Sequence, residues 1–529
     1  MVLRTENIPK VVQYVFWICA LSSIVFATSG SFADPQIVPK WVAFVSLSLL
    51  LLVYLALRLL FGLKDTPGIF PDMKVMVNSI SFVLLFLSVY GILQYFEILQ
   101  SDVVFKVVGK YENPAGFAIT LCASLPFVML GMISQSRYIR FLNIMVFALV
   151  SVAVILSQSR AGIISMLMIW IVGGYRFLTK RAFLRWAFVA VLCVVLLALM
   201  CQKSDSASGR ILIWNCTWDM ISARPLFGYG LGGFEANYMD WQATYFQQNP
   251  DSSYAMLADD VQYPFNEYLH VMSVFGVPGL LCVMCWIGFM IWRYCRNRTP
   301  ERLAAVLVIV SVSVFAMFSY PFMYPFMWFM VIYSSAVLLS DADSFKKMPS
   351  LFRRTFAVIL IGLAGFTGTK LTRYVESEKE WYAMATSLDK SEDTLDKYAR
   401  LYERMSGNRY FMYNYAYVLY EKGRLDDSRR VAAECRELWA DYDLEILQGM
   451  IEMRVGNHSV ADSHFEYAGF MCPNRFRPLY LRMKIAEAKE DVASAIAYAQ
   501  QIMDKQIKVL SNEVVSIRQY AKGYLNKYN

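Results

Sequence analysis

Charge is scarce in this sequence. Asp, Glu, Lys and Arg make up 17% of its 529 residues, where a soluble protein carries about 25%. The shortage is uneven: long charge-free runs fill residues 11 to 370, and charge returns to ordinary density after Tyr374. With 57% hydrophobic residues and a mean hydropathy of +0.40, that pattern excludes a soluble enzyme over most of the chain. It describes a membrane domain followed by a soluble one. Charge is also missing from the middle of every apolar run. A charge at the bilayer centre costs on the order of 2.5–3.5 kcal/mol and usually marks a working group. Its absence argues against an ion-coupled transporter or proton pump and leaves any chemistry to the outer surface.

Histidine is rarer still, with three in the chain, of which only His270 lies in the apolar part. The net charge of +8 accompanies no basic helix or aromatic platform, so no nucleic-acid partner is expected. Cys19, Cys122, Cys193, Cys282 and Cys285 lie inside apolar runs, where cysteine behaves as a small hydrophobe. Cys201 with Cys216, or Cys435 with Cys472, could pair in an oxidising compartment. The first apolar run is followed by another without a small-residue cleavage site and reads as a retained span.

A spanning helix takes about 20 apolar residues, within a range of roughly 17 to 25. Eleven runs qualify, near 11–29, 41–61, 75–98, 115–134, 141–158, 161–178, 186–202, 268–292, 303–319, 322–340 and 355–371. Two junctions, at Arg160 and at Ser319–Pro321, are either hairpins at the membrane surface or one span counted as two. Basic residues concentrate in alternate loops, among them Arg137 with Arg140, Lys180 with Arg181 and Arg185, and Arg293 through Arg302. The other short loops hold only Lys40, Lys106, Lys110 and Arg160. The positive-inside rule then puts the N-terminus in the cytoplasm. Eleven spans place the longest loop, about 203–265, and the tail on the outer side. The expected division is a membrane domain over 1–372 and an outer-side helical-repeat domain over 373–529, the whole chain all-α.

The tail repeats. Aligning Gly423, Gly456 and Glu490 gives spacings of 33 and 34, close to the tetratricopeptide period of about 34. Five residues after each stands a small residue, Ser428, Ala461 and Ala495, and the middle copy adds Phe465, Ala468 and Pro473. Such repeats stack and offer a concave groove, either a docking surface for a protein partner or long polymer or a plain extramembrane prop. His458 and His464 are six apart, a poor metal spacing, and read as surface histidines.

Four stretches on the outer side carry chemistry-bearing residues. Lys110-Tyr-Glu-Asn113-Pro precedes a span; Asn-Pro is an ordinary helix start, and Lys110 is in reach of a phosphate at the surface. Ser157-Gln-Ser-Arg160-Ala-Gly holds an arginine between two spans, either a snorkelling anchor or an anion site, since Arg stays charged when desolvated. Ser208-Gly-Arg210-Ile-Leu-Ile-Trp runs on to Gly228-Tyr-Gly-Leu-Gly-Gly-Phe234, which matches G-x-G-x-x-G by letter. No strand or βαβ unit surrounds it, so a tight turn is expected there rather than a dinucleotide site. The fourth is Phe265-Asn266-Glu267-Tyr-Leu-His270, followed by Gly276-Val-Pro-Gly279. Asn266 and His270 share a helix face, and Glu267 and His270 are close enough to touch, so a carboxylate-assisted base or a polar cap both fit.

In this order the four stretches resemble the O-antigen ligase family of membrane glycosyltransferases, over about 105–340. The resemblance implies a glycosyltransferase-C type helical membrane domain. It also implies transfer of a glycan from undecaprenyl pyrophosphate to a periplasmic acceptor, lipid A core, glycan or protein, with no cofactor or metal. Arg160 and Arg210 resemble the family's arginines for the donor pyrophosphate. Phe265-Asn266, nine residues, then Gly276-x-x-Gly279 fits the frame of the family's large-loop signature, with Phe where the family has its proposed base, His. General-base help is worth typically 10²–10⁴-fold, so Glu267 or His270 substitutes, with Glu267 favoured, or the acceptor differs, or activity is lost. Glu267 would stand some 200° around a helix from position 265. The rival readings are a non-catalytic scaffold of surface-polysaccharide assembly, favoured by the missing His, and a transporter.

Overall fold

The computed structural model describes residues 8–61, 70–101, 103–177, 204–340, 349–387 and 392–528. Every regular element among them is helical. The chain divides into two compact units, Met1–Cys201 with Cys282–Ala383, and Gln202–Leu281 with Met384–Asn529.

The first unit holds α1 (Ile8–Phe26), α2 (Val38–Phe61), α3 (Met73–Tyr95), α4 (Pro114–Met132), α5 (Arg137–Leu156) and α6 (Arg160–Phe177). It also holds α10 (Pro300–Ala316), α11 (Pro325–Leu339) and most of α12 (Ser350–Thr386). Ten of the eleven apolar runs fall on helices, and the run at 186–202 lies outside the described residues. Among the described residues, six helices are long and apolar enough to cross a membrane, and three apolar ones are shorter, including Arg160–Val172 and Pro325–Leu339.

Helix α4 is the centre, with 78% of its apolar window enclosed against 17% for the peripheral α2. Small residues make that enclosure possible. A Cβ on Gly116 would lie 2.5 Å from the Tyr324 ring, and one on Gly162 would lie 2.5 Å from Ala118 Cβ. Both close junctions are true breaks between helices. Gln158 takes a left-handed φ of 54° and the Ser159 hydroxyl caps α6 through Gly162 N–H, so three residues reverse the chain. A short 3-10 turn, Pro321–Met323, separates α10 from α11.

The second unit contains α7 (Ser204–Ala223), α8 (Gly233–Gln248), the start of α9 (Glu267–Arg296), and the tail. The tail runs α13 (Glu392–Met405), α14 (Arg409–Glu421), α15 (Leu425–Leu438), α16 (Tyr442–Val455) and α17 (His458–Met471). It closes with α18 (Arg477–Ala488), α19 (Val492–Asp504) and α20 (Asn512–Tyr528), each packed on the next. The period has a backbone cause. Gly423, Gly456 and Glu490, with φ of 74°, 93° and 57°, each turn the chain between paired helices. Ser428, Ala461 and Ala495 are then wholly buried where the pairs touch. Gly449 leaves room for Phe465, whose ring would lie 2.4 Å from an added Cβ.

Although inserted between apolar runs in sequence, the large loop shares its core with the tail. Phe234, Tyr238, Met239 and Phe246 of α8 pack with Ala440, Ile446, Phe465 and Met471. Polar ties follow: Gln242 Nε2 donates to Asp259 O at 3.0 Å and to Met471 O at 2.7 Å, and Arg436 pairs with Asp240. Cys216, Cys435 and Cys472 are buried free thiols, so the Cys435–Cys472 bridge does not form. Their separate burial explains it: cysteine fills the core as an apolar side chain. His464 is not a solvated surface residue either, because its Nδ1 lies 2.7 Å from the buried Glu445 carboxylate.

Candidate functional site

In the first unit the Lys110–Asn113 stretch is a rigid ledge at the head of α4. Gln94 holds its start, accepting from Val108 N–H at 3.1 Å and Gly109 N–H at 2.8 Å, with Gly109 at φ 62°. Lys40, fully buried, donates to the carbonyls of Ala27, Gln36 and Lys110. Lys110 itself lies over the Tyr90 ring at 5.1 Å. Asn113 caps α4, accepting from Gly116 N–H at 3.0 Å, while its amide reaches the Tyr320 hydroxyl at 2.9 Å. Tyr324 donates to Glu112 at 2.9 Å, and Glu112 Oε2 is buried without a hydrogen-bond partner. Burial pushes the Glu112 carboxyl above the usual carboxylate range.

Arg160 opens α6, which runs parallel to α4. Gly162 meets Ala118, and Cys122 Sγ reaches Gly162 O at 3.2 Å, so Arg160 lies level with the first turn of α4. Two helix N-termini, each with a partial positive charge, thus share one end of this unit with Lys110 and Arg160.

In the second unit, the start of α9 is set by α7. Trp214 Nε1 donates to Pro264 O at 2.9 Å, and one turn earlier Arg210 lays its guanidinium over the Phe265 ring, 5.4 Å from its centre. Phe265 stands at φ 51°, a rare conformation for a bulky residue. Asn266 caps α9, accepting from Tyr268 N–H at 3.0 Å and Leu269 N–H at 3.1 Å. The helix therefore begins after position 265, so the 200° rotation between 265 and 267 does not arise. Glu267 and His270 face each other, Oε2 to Nδ1 at 3.5 Å, and His270 meets the Phe234 ring edge-on at 6.0 Å.

The glycines build a splice. Gly276 breaks α9 with φ 67° and ψ −169°, and Pro278 supplies no N–H. The freed backbone groups go to the 225–230 turn: Val277 N–H donates to Pro225 O at 2.8 Å, Tyr229 N–H to Ser273 O at 2.8 Å, and Gly230 N–H to Val274 O at 2.9 Å. Gly228, Gly230 and Gly232 all have positive φ, so the G-x-G-x-x-G letters are the tight turn that pairs with the broken helix. Gly279 follows the break, where an added Cβ would lie 2.4 Å from Phe275 Cβ.

Two groups that local sequence patterns do not reveal complete this unit's polar centre. Glu235 on α8 pairs with Arg409 of the tail at 3.4 Å, and its charge acts on His270. Beside it, Asp260 and Asp441 meet with Asp443 and Asp259 near; burial first, and then Asp260, push the Asp441 carboxyl up to about 8. Asp441 keeps its proton in the fold where the unfolded carboxyl ionises near 3.9. Its contribution is present at low pH and is lost as pH rises towards about 8. Asp441→Asn, which keeps the cap on Leu444 N–H, therefore raises the melting temperature at pH 8 and narrows the gap between pH 5 and pH 8. An unchanged gap in detergent-solubilised full-length protein contradicts this assignment. Among the described residues, no group of three or more His, Cys, Asp or Glu could hold a metal ion.

Residues 145–284 match the family model described as O-Antigen ligase, a stretch that includes Arg160, Arg210, Glu267 and His270. No curated protein matches the chain. The crystal structure of the yeast Tom70 aligns over 91% of this chain and 96% of its own at 11% identity, with a TM-score of 0.26, too low to carry an argument about fold. Residues 145–284 are thus similar to the O-antigen ligase family, which supports a membrane glycan-transferase type of function for a chain rich in long apolar helices.

Proposed function

We propose that this chain transfers a glycan from undecaprenyl pyrophosphate to an acceptor hydroxyl on the periplasmic face of the inner membrane. The observation that carries the reading is the Glu267–His270 pair at the head of α9, one turn from the position where the resemblance expects a base. Glu267 orients the imidazole through Nδ1, and the other ring nitrogen takes the acceptor proton. The acceptor oxygen bonds to the anomeric carbon from the face opposite the leaving group. The bond from that carbon to the pyrophosphate oxygen breaks, and its electron pair leaves with the pyrophosphate.

In the second unit Arg210, held over Phe265, is a proposed contact for the anionic donor; in the first unit Arg160 and Lys110, at the paired helix N-termini, are each proposed to bind an anionic group of the same kind. Asn266, whose carbonyl oxygen is used in capping, offers its amide N–H groups to the acceptor. The stacked tail favours a large acceptor, a protein or long glycan, over lipid A core.

The test is in cells lacking the native gene. Expected for His270→Ala and Glu267→Gln are transfer losses of about 10²–10⁴-fold, as for a missing general base, with the protein still in the membrane. The second reading, a scaffold that docks partners through its repeats, rests on Phe265 in the place of the family His. Normal surface glycan in both variants, against loss in the deletion, selects the scaffold.

A further inference from the structure

Glu235 is expensive to keep where it is. Among the described residues, its Oε2 is buried without a hydrogen-bond partner, and its Oε1 forms the 3.4 Å ion pair with Arg409. A buried polar atom left unpaired is costly, and the desolvation of a largely buried ion pair can outweigh the attraction it returns. Stability does not explain the carboxylate. Its place does: Phe234, the preceding residue, lies against His270, and the Glu235 charge acts on that imidazole. His270 thus has Glu267 against it from its own helix and Phe234 against it from α8, and the residue after Phe234, Glu235, carries its charge close by with Arg409 paired to it.

Arg409 is built in, not incidental. Its guanidinium lies over the rings of Tyr410 at 5.0 Å and Trp439 at 5.7 Å. It also donates to Gln262 Oε1 at 3.5 Å, and the Tyr410 hydroxyl donates to the same oxygen at 2.6 Å. The tail grips the backbone of Glu235 as well, through Ala440 N–H to Glu235 O at 3.0 Å. The neighbouring Asp240 is held by Arg436 and by the Tyr467 hydroxyl.

We propose that Glu235 is a positioning residue for His270 and that the repeat tail completes the acceptor site by holding Glu235 through Arg409. This rests on the glycan-transfer reading. Glu235 touches neither the reacting atoms nor the imidazole; Glu267 keeps the ring oriented, and the Glu235 charge favours the cation that forms when His270 takes the acceptor proton. Arg409 tunes that effect by partly neutralising Glu235. The tail is then part of the enzyme and not only a place where partners dock.

The experiment measures transfer of the host's own lipid-linked glycan in membranes carrying the full chain, across pH. Glu235→Gln is expected to lower kcat by about ten-fold, the change that one pKa unit of lost charge stabilisation gives, with donor KM within about two-fold. Losing a neighbouring anion favours the neutral imidazole, so the acidic limb of the pH–rate curve moves to lower pH. Arg409→Met moves that limb the other way, and Arg409→Lys restores it. A purely structural role would scale the rate at every pH and leave the limb in place, which overturns the proposal. So do wild-type rate and profile in Glu235→Gln and Arg409→Met where His270→Ala has lost transfer. Wild-type membranes that transfer nothing overturn the transfer reading, and this inference with it.

Discussion

Arg210→Ala is expected to lower glycan transfer by about 10²–10³-fold, the size of the loss when one preorganised donor to a developing anion is removed. In the donor-contact role proposed for it, the side chain is already held in place. Its guanidinium rests on the Phe265 ring, an attraction worth roughly 0.5–2 kcal/mol, and Trp214 one turn on fixes the Pro264–Phe265 backbone beneath it. A planar fork held this way meets a pyrophosphate with little further ordering. Lys in the same place keeps the charge and loses the fork and the stacking, so Arg210→Lys is expected to recover only part of the rate. The measurement is initial rate against donor concentration in membranes with matched protein amounts. A rise in donor KM alone marks ground-state binding; a fall in kcat marks charge stabilised in the transition state. Wild-type kinetics in Arg210→Ala would remove Arg210 from the donor site.

The tail was readable from sequence because its signal is local. Gly423, Gly456 and Glu490 recur at fixed spacing, and each serves one backbone turn, even where Glu replaces Gly. Apolar runs marked the membrane helices for the same reason, with ends displaced by a few residues where Asn113 or Ser159 caps a helix. The Glu267–His270 contact was also within reach, since i and i+3 share a helix face. What periodicity could not carry is anything assembled across the chain. Phe234 and Phe465 lie in one core through packing between distant segments, and no local pattern announces it. Nothing in the sequence around Glu235 marks it, because its partner, Arg409, belongs to the tail. Extrapolating helix geometry back to Phe265 also misled, because the cap at Asn266 ends the helix first.

The second large effect is expected at the splice in α9. Gly276→Ala should destabilise the second unit by roughly 3 kcal/mol or more, combining two terms. The first is conformational: φ 67° with ψ −169° is a region open essentially to glycine alone, and other residues pay about 1–3 kcal/mol there. The second is steric: the new Cβ would lie 2.4 Å from Leu226 O and 2.6 Å from Pro225 O, both backbone atoms that cannot swing aside. Relief requires the 225–230 turn to move away. That strips Ser273 O, Val274 O and Val277 N–H of their partners at the point where Pro278 already prevents ordinary helical bonding. Gly230→Ala is the matched control. It has a φ of 82° but nothing within 4 Å of the added Cβ, so only the conformational cost of about 1–2 kcal/mol applies. Thermal melting of the purified full chain, with proteolysis of the outer loop as a second readout, separates the two. Gly276→Ala should melt well below Gly230→Ala and expose the 225–230 turn to cleavage. Equal melting of the two variants would mean that α9 tolerates the break without its partner turn, and the G-x-G-x-x-G segment would lose the structural role assigned to it.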